Sequence, residues 1–196
     1  AKKENSVEFA EVKKYFLNEV DTYKVIFVDG KFSSHLSSTT HDGLDVCLMS
    51  SALNKPKYKM VIDTYFNKIA NSDDSLTSLN TAFSHEGAYV NIPKSKVVEK
   101  PIEIIYFSTG AETALMTQPR NLIIVGENSH VQIVERHQSL NNNLVLTNSV
   151  TEIFAQKRAI VDYYKVQNDL QTANLIDNTY IAQKQDSHVS VHTFSF

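Results

Sequence analysis

The chain has 196 residues, of which 42% are hydrophobic, 21% charged and 10% aromatic, a composition that supplies a buried core and excludes a disordered chain. With 19 Lys+Arg against 22 Asp+Glu the formal net charge is −3, so the chain is not built to neutralise phosphates, and nucleic acid is excluded as its main partner. The single cysteine, Cys47, precludes an internal disulfide and any multi-thiolate zinc or iron–sulfur cage made by one copy alone, which suits a reducing compartment.

The five glycines stand at 30, 43, 87, 110 and 126, too far apart for a G-x-x-x-x-G-K loop or a G-x-G-x-x-G fingerprint. No window approaches about eighteen uninterrupted apolar residues, so no membrane segment is expected. The start, Ala1-Lys2-Lys3-Glu4-Asn5, leads into an amphipathic run rather than a targeting sequence. The expectation is a soluble cytoplasmic protein.

In chain order, Phe9, Val12, Phe16 and Val20 fall at helical spacings and predict a surface helix over 8–20. Segments 23–28 and 31–36 flank Asp29-Gly30, a pair suited to the two positive φ angles of a type I′ hairpin turn. Ser37-Ser38-Thr39-Thr40 has little to bury and reads as a loop. Cys47 sits in the apolar run 44–49, where a small packed side chain fits better than a nucleophile without a base. After Lys55-Pro56 the spacing of Tyr58, Val61, Ile62, Tyr65, Phe66 and Ile69 predicts a helix ending near Asn71. Asp74-Ser75 caps another, with Leu76, Leu79 and Phe83 on one face.

Beyond Gly87 the period changes from 3.6 to 2, and short alternating segments run to the end: 88–92, 102–106, 114–117, 122–125, 131–135, 145–154, 160–166, 176–182 and 189–196. Residues 129–135 superpose on 159–165 at an offset of 30, and those on 187–193 at an offset of 28. Each of the three follows another strand and a polar turn. A period near thirty with several strands per unit is that of a solenoid, whose coils bury their inward side chains against their neighbours. The expected fold is mainly β: a parallel β-helix over 84–196, preceded by a small α+β segment over 1–83. An antiparallel sandwich is the competing arrangement.

The alignment turns Val131, Ile133, Val161, Tyr163, Val189 and Val191 inward and His130, His188 and His192 outward. His130 and His188 then lie two rungs apart, about 9–10 Å, and His188 and His192 about 13 Å along one strand, too far to share a metal. They read as solvated or partner-facing. Ser84-His85-Glu86 contains the residue types of a catalytic triad, but three consecutive side chains diverge. The outward column Gln132/Asp162/Ser190 carries one acid, too few for a polysaccharide lyase site. Glu135 and Lys165 pair across adjacent rungs as a structural contact. Tyr163-Tyr164 reads as one core and one surface residue. No catalytic, cofactor-binding or metal-ligating residue is assigned.

From Leu79 onward the sequence resembles the SufB/SufD family of iron–sulfur cluster assembly proteins, its SufD branch in particular. The segments that carry the likeness are Leu79-Asn80-Thr81-Ala82-Phe83, Gly87-Ala88-Tyr89-Val90-Asn91-Ile92-Pro93-Lys94 and Val97-Val98-Glu99-Lys100-Pro101-Ile102-Glu103-Ile104. They continue in Val134-Glu135-Arg136, Leu146-Thr147-Asn148-Ser149-Val150-Thr151-Glu152 and Asp162-Tyr163-Tyr164-Lys165-Val166-Gln167. The resemblance implies a right-handed parallel β-helix and a non-catalytic scaffold role. Its implied partners are a SufB-like paralogue and a SufC-like ATPase, and the complex they form builds a transient iron–sulfur cluster. It also implies that the chain covers only the first part of the β-helix, since family members continue into further coils and C-terminal helices. The last rung is then expected to expose Val189, Val191 and Phe194, an edge through which copies of the chain could associate. The alternative function is a β-helix carbohydrate-active enzyme.

Overall fold

The computed structural model describes residues 7–38, 43–110 and 114–196; the expected loop residues Thr39 and Thr40 and the N-terminal Ala1 to Asn5 lie outside them. The helices are α1 (Phe9–Val12), α2 (Met49–Asn54), α3 (Pro56–Tyr65) and α4 (Ser75–Phe83). The strands are β1 (Tyr23–Val28), β2 (Lys31–Phe32), β3 (Asp45–Leu48), β4 (Ala88–Ile92), β5 (Ile102–Ser108), β6 (Leu115–Thr117), β7 (Arg120–Val125), β8 (His130–Ser139), β9 (Val145–Ala155), β10 (Ile160–Asn168), β11 (Ala173–Gln183) and β12 (His188–Ser195).

From β4 the chain alternates between two sheets and winds a β-solenoid of about three turns. One sheet has the order β12-β10-β8-β5-β1-β2, the other β11-β9-β7-β4-β3, with β6 beside β9. All neighbours from β4 to β12 are parallel. The register reproduces the repeat read from the sequence: Ile160 lies opposite His130 on one side and His188 on the other. The N-terminal segment joins the same sheets, because β1 adds to β5 in parallel and β3 adds to β4 antiparallel.

Local sequence explains the turns. Asp29 (φ 50°) and Gly30 (φ 76°) make the hairpin turn between β1 and β2. At the corner between the sheets each coil places one residue in the left-handed region: Ser95, Asn128, Arg158 and Asp186, with φ of 55–60°. Gly87 is required for a different reason, since a Cβ there would stand 1.9 Å from the carbonyl oxygen of Arg120.

The first helix is shorter than its periodicity predicts: α1 passes into a 3-10 turn, Lys13–Tyr15, and Phe16 is extended. It stops because Phe16 joins a cluster with Val12, Ile26, Ile105 and Phe107, while the Leu17 amide donates to the Glu103 carboxylate at 3.0 Å. Helix α3 likewise ends at Tyr65, before Asn71. Asn67 takes φ 58°, and the amides of Asn67, Lys68, Ile69 and Ala70 all turn onto the carboxylate of Glu152 at 2.8–3.3 Å. Helix α4 begins as expected, its Asp74 cap accepting from the Thr77 amide at 2.7 Å. The face it buries is the polar one, however: Asn80 donates to the carbonyls of Pro119 and Asn148, and Thr77 pairs with the Tyr180 hydroxyl. Leu76 and Phe83 are exposed. Sequence periodicity picks out the apolar stripe, whereas the carbonyls of Pro119 and Asn148 on the outside of the second sheet select a side chain able to donate to them.

Candidate functional site

Inward side chains divide the solenoid lumen lengthwise. Next to the corners it is apolar, filled by Ile123, Val125, Val131, Ile133, Ile153, Ala155, Val161 and Tyr163. Farther along the same strands the alternation continues but the residue types change, so that Asn121, Glu135, His137, Ser149, Thr151 and Lys165 are buried there. This polar half of the lumen is the candidate site.

Glu135, fully buried, lies at its centre. Its carboxylate accepts hydrogen bonds from the Tyr163 hydroxyl, from Asn121 Nδ2 at 3.2 Å and from the Thr151 hydroxyl at 3.3 Å, and pairs with His137 Nε2 at 2.8 Å. Lys165, one rung along in register, brings its Nζ to 3.8 Å from Glu135 and donates to Asp177 and Thr179. On the other side the Tyr106 hydroxyl donates to Asn121 Oδ1 at 2.6 Å, and its ring stacks on His137 with centroids 5.0 Å apart. A continuous file of polar contacts therefore runs from Tyr106 on β5, through Asn121 and Glu135, to Lys165 and then Asp177 on β11.

The electrostatics follow from burial and pairing. Burial opposes ionisation of Glu135, but Lys165, His137 and Tyr163 outweigh it and hold the carboxyl well below the usual carboxylate range. Asp177 moves the other way, raised by burial and by the Glu135 charge despite its contact with Lys165. Tyr163 and Tyr106 are pushed well above the ordinary phenol value by burial and by Glu135, so both stay protonated as donors. His137 Nδ1, Asp177 Oδ1 and Ser149 Oγ have no protein partner. The arrangement can hold charge and relay hydrogen bonds across coils; among the described residues no group of three or more His, Cys, Asp or Glu could hold a metal ion.

Glu135 and Lys165 meet where the repeat places them, and the contact is buried: they are 0% and 6% exposed, inside the coil. The signal was available, since Glu135 and His137 continue the inward phase of Val131 and Ile133, and Lys165 that of Val161 and Tyr163. Asn121 and Asp177 lie on strands outside the aligned segments. Of the outward histidines, His130 pairs with Asp162 at 2.9 Å and His192 stacks on Tyr164 at 5.2 Å. His188 has Ser190 as its neighbour at 3.2 Å. They do not converge. His85 is exposed, while Glu86 turns to Ser50, and burial raises its carboxyl. Tyr163 lies in the core and Tyr164 outside. Cys47, on β3, is half-buried, and burial pushes its thiol up.

These features define a parallel β-solenoid with a charged, hydrogen-bonded interior and an α+β segment built onto its first coils. Two family models cover nearly the whole chain. The SufBD protein N-terminal region matches residues 2–104, and the SufBD core domain of the SUF system for FeS cluster assembly matches 106–196. The chain belongs to the SufB/SufD family of iron–sulfur cluster assembly proteins.

It is similar to the iron-sulfur cluster assembly SufBD family protein slr0076 of Synechocystis sp., at 25% identity over an alignment of 190 residues that covers 93% of this chain and 42% of that protein. It is 30% identical over 111 residues to the iron-sulfur cluster assembly protein SufD of Bacillus subtilis, covering 55% of this chain and 25% of that one. It is 30% identical over 152 residues to the chloroplastic SufBD family protein ABCI8 of Arabidopsis thaliana, covering 73% and 26%. The chain spans about two-fifths of its relatives' length or less. Among the described residues no helix is long and apolar enough to cross a membrane.

Proposed function

We propose that the full-length protein is a non-catalytic scaffold subunit of a cytoplasmic iron–sulfur cluster assembly complex, SufD-like, which pairs with a SufB-like paralogue and a SufC-like ATPase. The observation that carries this reading is the match of both family regions, in chain order, on one solenoid. Stacked parallel coils with a shared core resist deformation, and that rigidity suits a platform for other proteins. In this reading ATP hydrolysis belongs to the ATPase partner, the nascent cluster is cargo of the complex, and no residue of this chain is assigned as a ligand to it. The test is affinity purification of the tagged full-length protein from its own cells. Co-purification of a SufB-like protein and a SufC-like ATPase is expected; recovery of the tagged protein without either overturns the proposal.

A further inference from the structure

Beside the first coils lies a cavity of about 660 Å³, between the β1–β2 turn, the end of α4 and β6. Its volume is that of a small-molecule pocket. The walls are apolar: Phe27, Leu79, Phe83, Tyr106, Met116 and Pro119. Leu79 and Phe83 belong to the stripe of α4 that the fold does not bury. Phe27 and Tyr106, stacked at 4.9 Å, are buried core residues, so the floor of the cavity is the closed side wall of the solenoid.

Charged groups around it are of two kinds. The two acids are already engaged, Asp29 by the Thr109 amide and hydroxyl and the Gly110 amide, and Glu86 by Ser50. Glu86 Oε2 has no protein partner but is shut off from solvent. The two bases, Lys31 and His85, are exposed, and their side chains form no hydrogen bond or ion pair with the described residues. Gln118 adds an amide donor, because Asn148 Nδ2 already occupies its oxygen at 2.9 Å. The available polar groups at the rim are therefore donors and a cation, above an apolar floor.

We infer that this cavity is a binding site for a small amphipathic carboxylate, its aliphatic or aryl body against Leu79, Phe83 and Met116 and its anionic head toward Lys31 and His85. The inference stands apart from the scaffold reading, since it needs no partner protein.

The experiment is isothermal titration of the full-length protein with octanoate and with octylammonium, which has the same tail and the opposite charge. Octanoate is expected to bind with a Kd of about 1 mM or tighter, and octylammonium about tenfold more weakly or worse. Lys31→Glu, at an exposed site, should weaken octanoate about tenfold. Met116→Trp, at a 46% exposed site, should close the mouth and abolish binding without unfolding the protein, which far-ultraviolet circular dichroism checks. No octanoate binding, equal affinity for the two probes, or affinity unchanged in both variants overturns the proposal. So does saturable binding of an acidic, leucine-rich peptide where octanoate does not bind.

Discussion

Replacing Glu152 by Ala tests how the helical segment is fastened to the solenoid. Glu152 is wholly buried on the outer face of β9, its Oε2 2.8 Å from Arg120 Nη2, and Arg120 is 1% exposed. The same carboxylate gathers the four amides of residues 67–70. Removing it leaves a buried guanidinium without its counter-charge, a loss of about 3–5 kcal/mol. In a chain of this size each kcal/mol moves Tm by about 2–4 °C, so the expected drop is roughly 6–20 °C. Arg120→Met should cost less, about 1–3 kcal/mol, because Glu152 keeps its amide cage. Burial already penalises the Arg120 charge, as its lowered pKa shows. Thermal unfolding of the 196-residue chain gives the magnitudes. Hydrogen exchange read by mass spectrometry should show residues 67–70 losing protection in Glu152→Ala and retaining it in Arg120→Met. Equal protection in the two variants, or a Glu152→Ala Tm within about 2 °C of wild type, would refute the reasoning.

Three other outcomes follow from the same geometry. Glu135 has a depressed folded-state pKa, so its contribution is fully present above the ordinary value of 4.5 and is lost as pH falls through the folded value; a urea series from pH 5 to pH 2 should fall less steeply for Glu135→Gln than for wild type. Gly87→Ala should cost about 3 kcal/mol or fail to fold, since the Arg120 backbone would have to move, and an unchanged Tm would contradict the contact. Asn80→Leu should destabilise by about 1–3 kcal/mol by removing the buried amide that donates to the carbonyls of both Pro119 and Asn148, whereas Leu76→Ser, on the exposed stripe, should stay within about 0.5 kcal/mol; the reverse order would mean that α4 packs the other way round.

How far the sequence could be read depended on whether a pattern was local. Offsets of 30 and 28 between strands are visible as alternation, and the register follows them residue by residue, because a one-residue slip would turn every core side chain outward. The Asp29-Gly30 turn and the Asp74 cap are legible for the same reason: both are set by backbone chemistry within a few residues. The early ends of α1 and α3 were not legible, because what stops them is Glu103 and Glu152, more than eighty residues away. Of the polar lumen, the pairing of Glu135 with Lys165 and their inward phase are both legible in the aligned segments. Asn121 and Asp177 needed the second sheet, whose register the aligned segments did not include.

The corners and the loops opposite them will tolerate change very differently. The connections 126–129, 156–159 and 184–187 are of equal length and each uses one left-handed residue, whereas the return paths at 109–119, 140–144 and 169–172 differ in length. An extra residue at a corner would invert the facing of the strand that follows, but an extra residue in a return path is absorbed before the next strand begins. Evolution and engineering alike can therefore lengthen this molecule's return side, adding new surface beside the cavity, while its corner side stays fixed like the spine of a book.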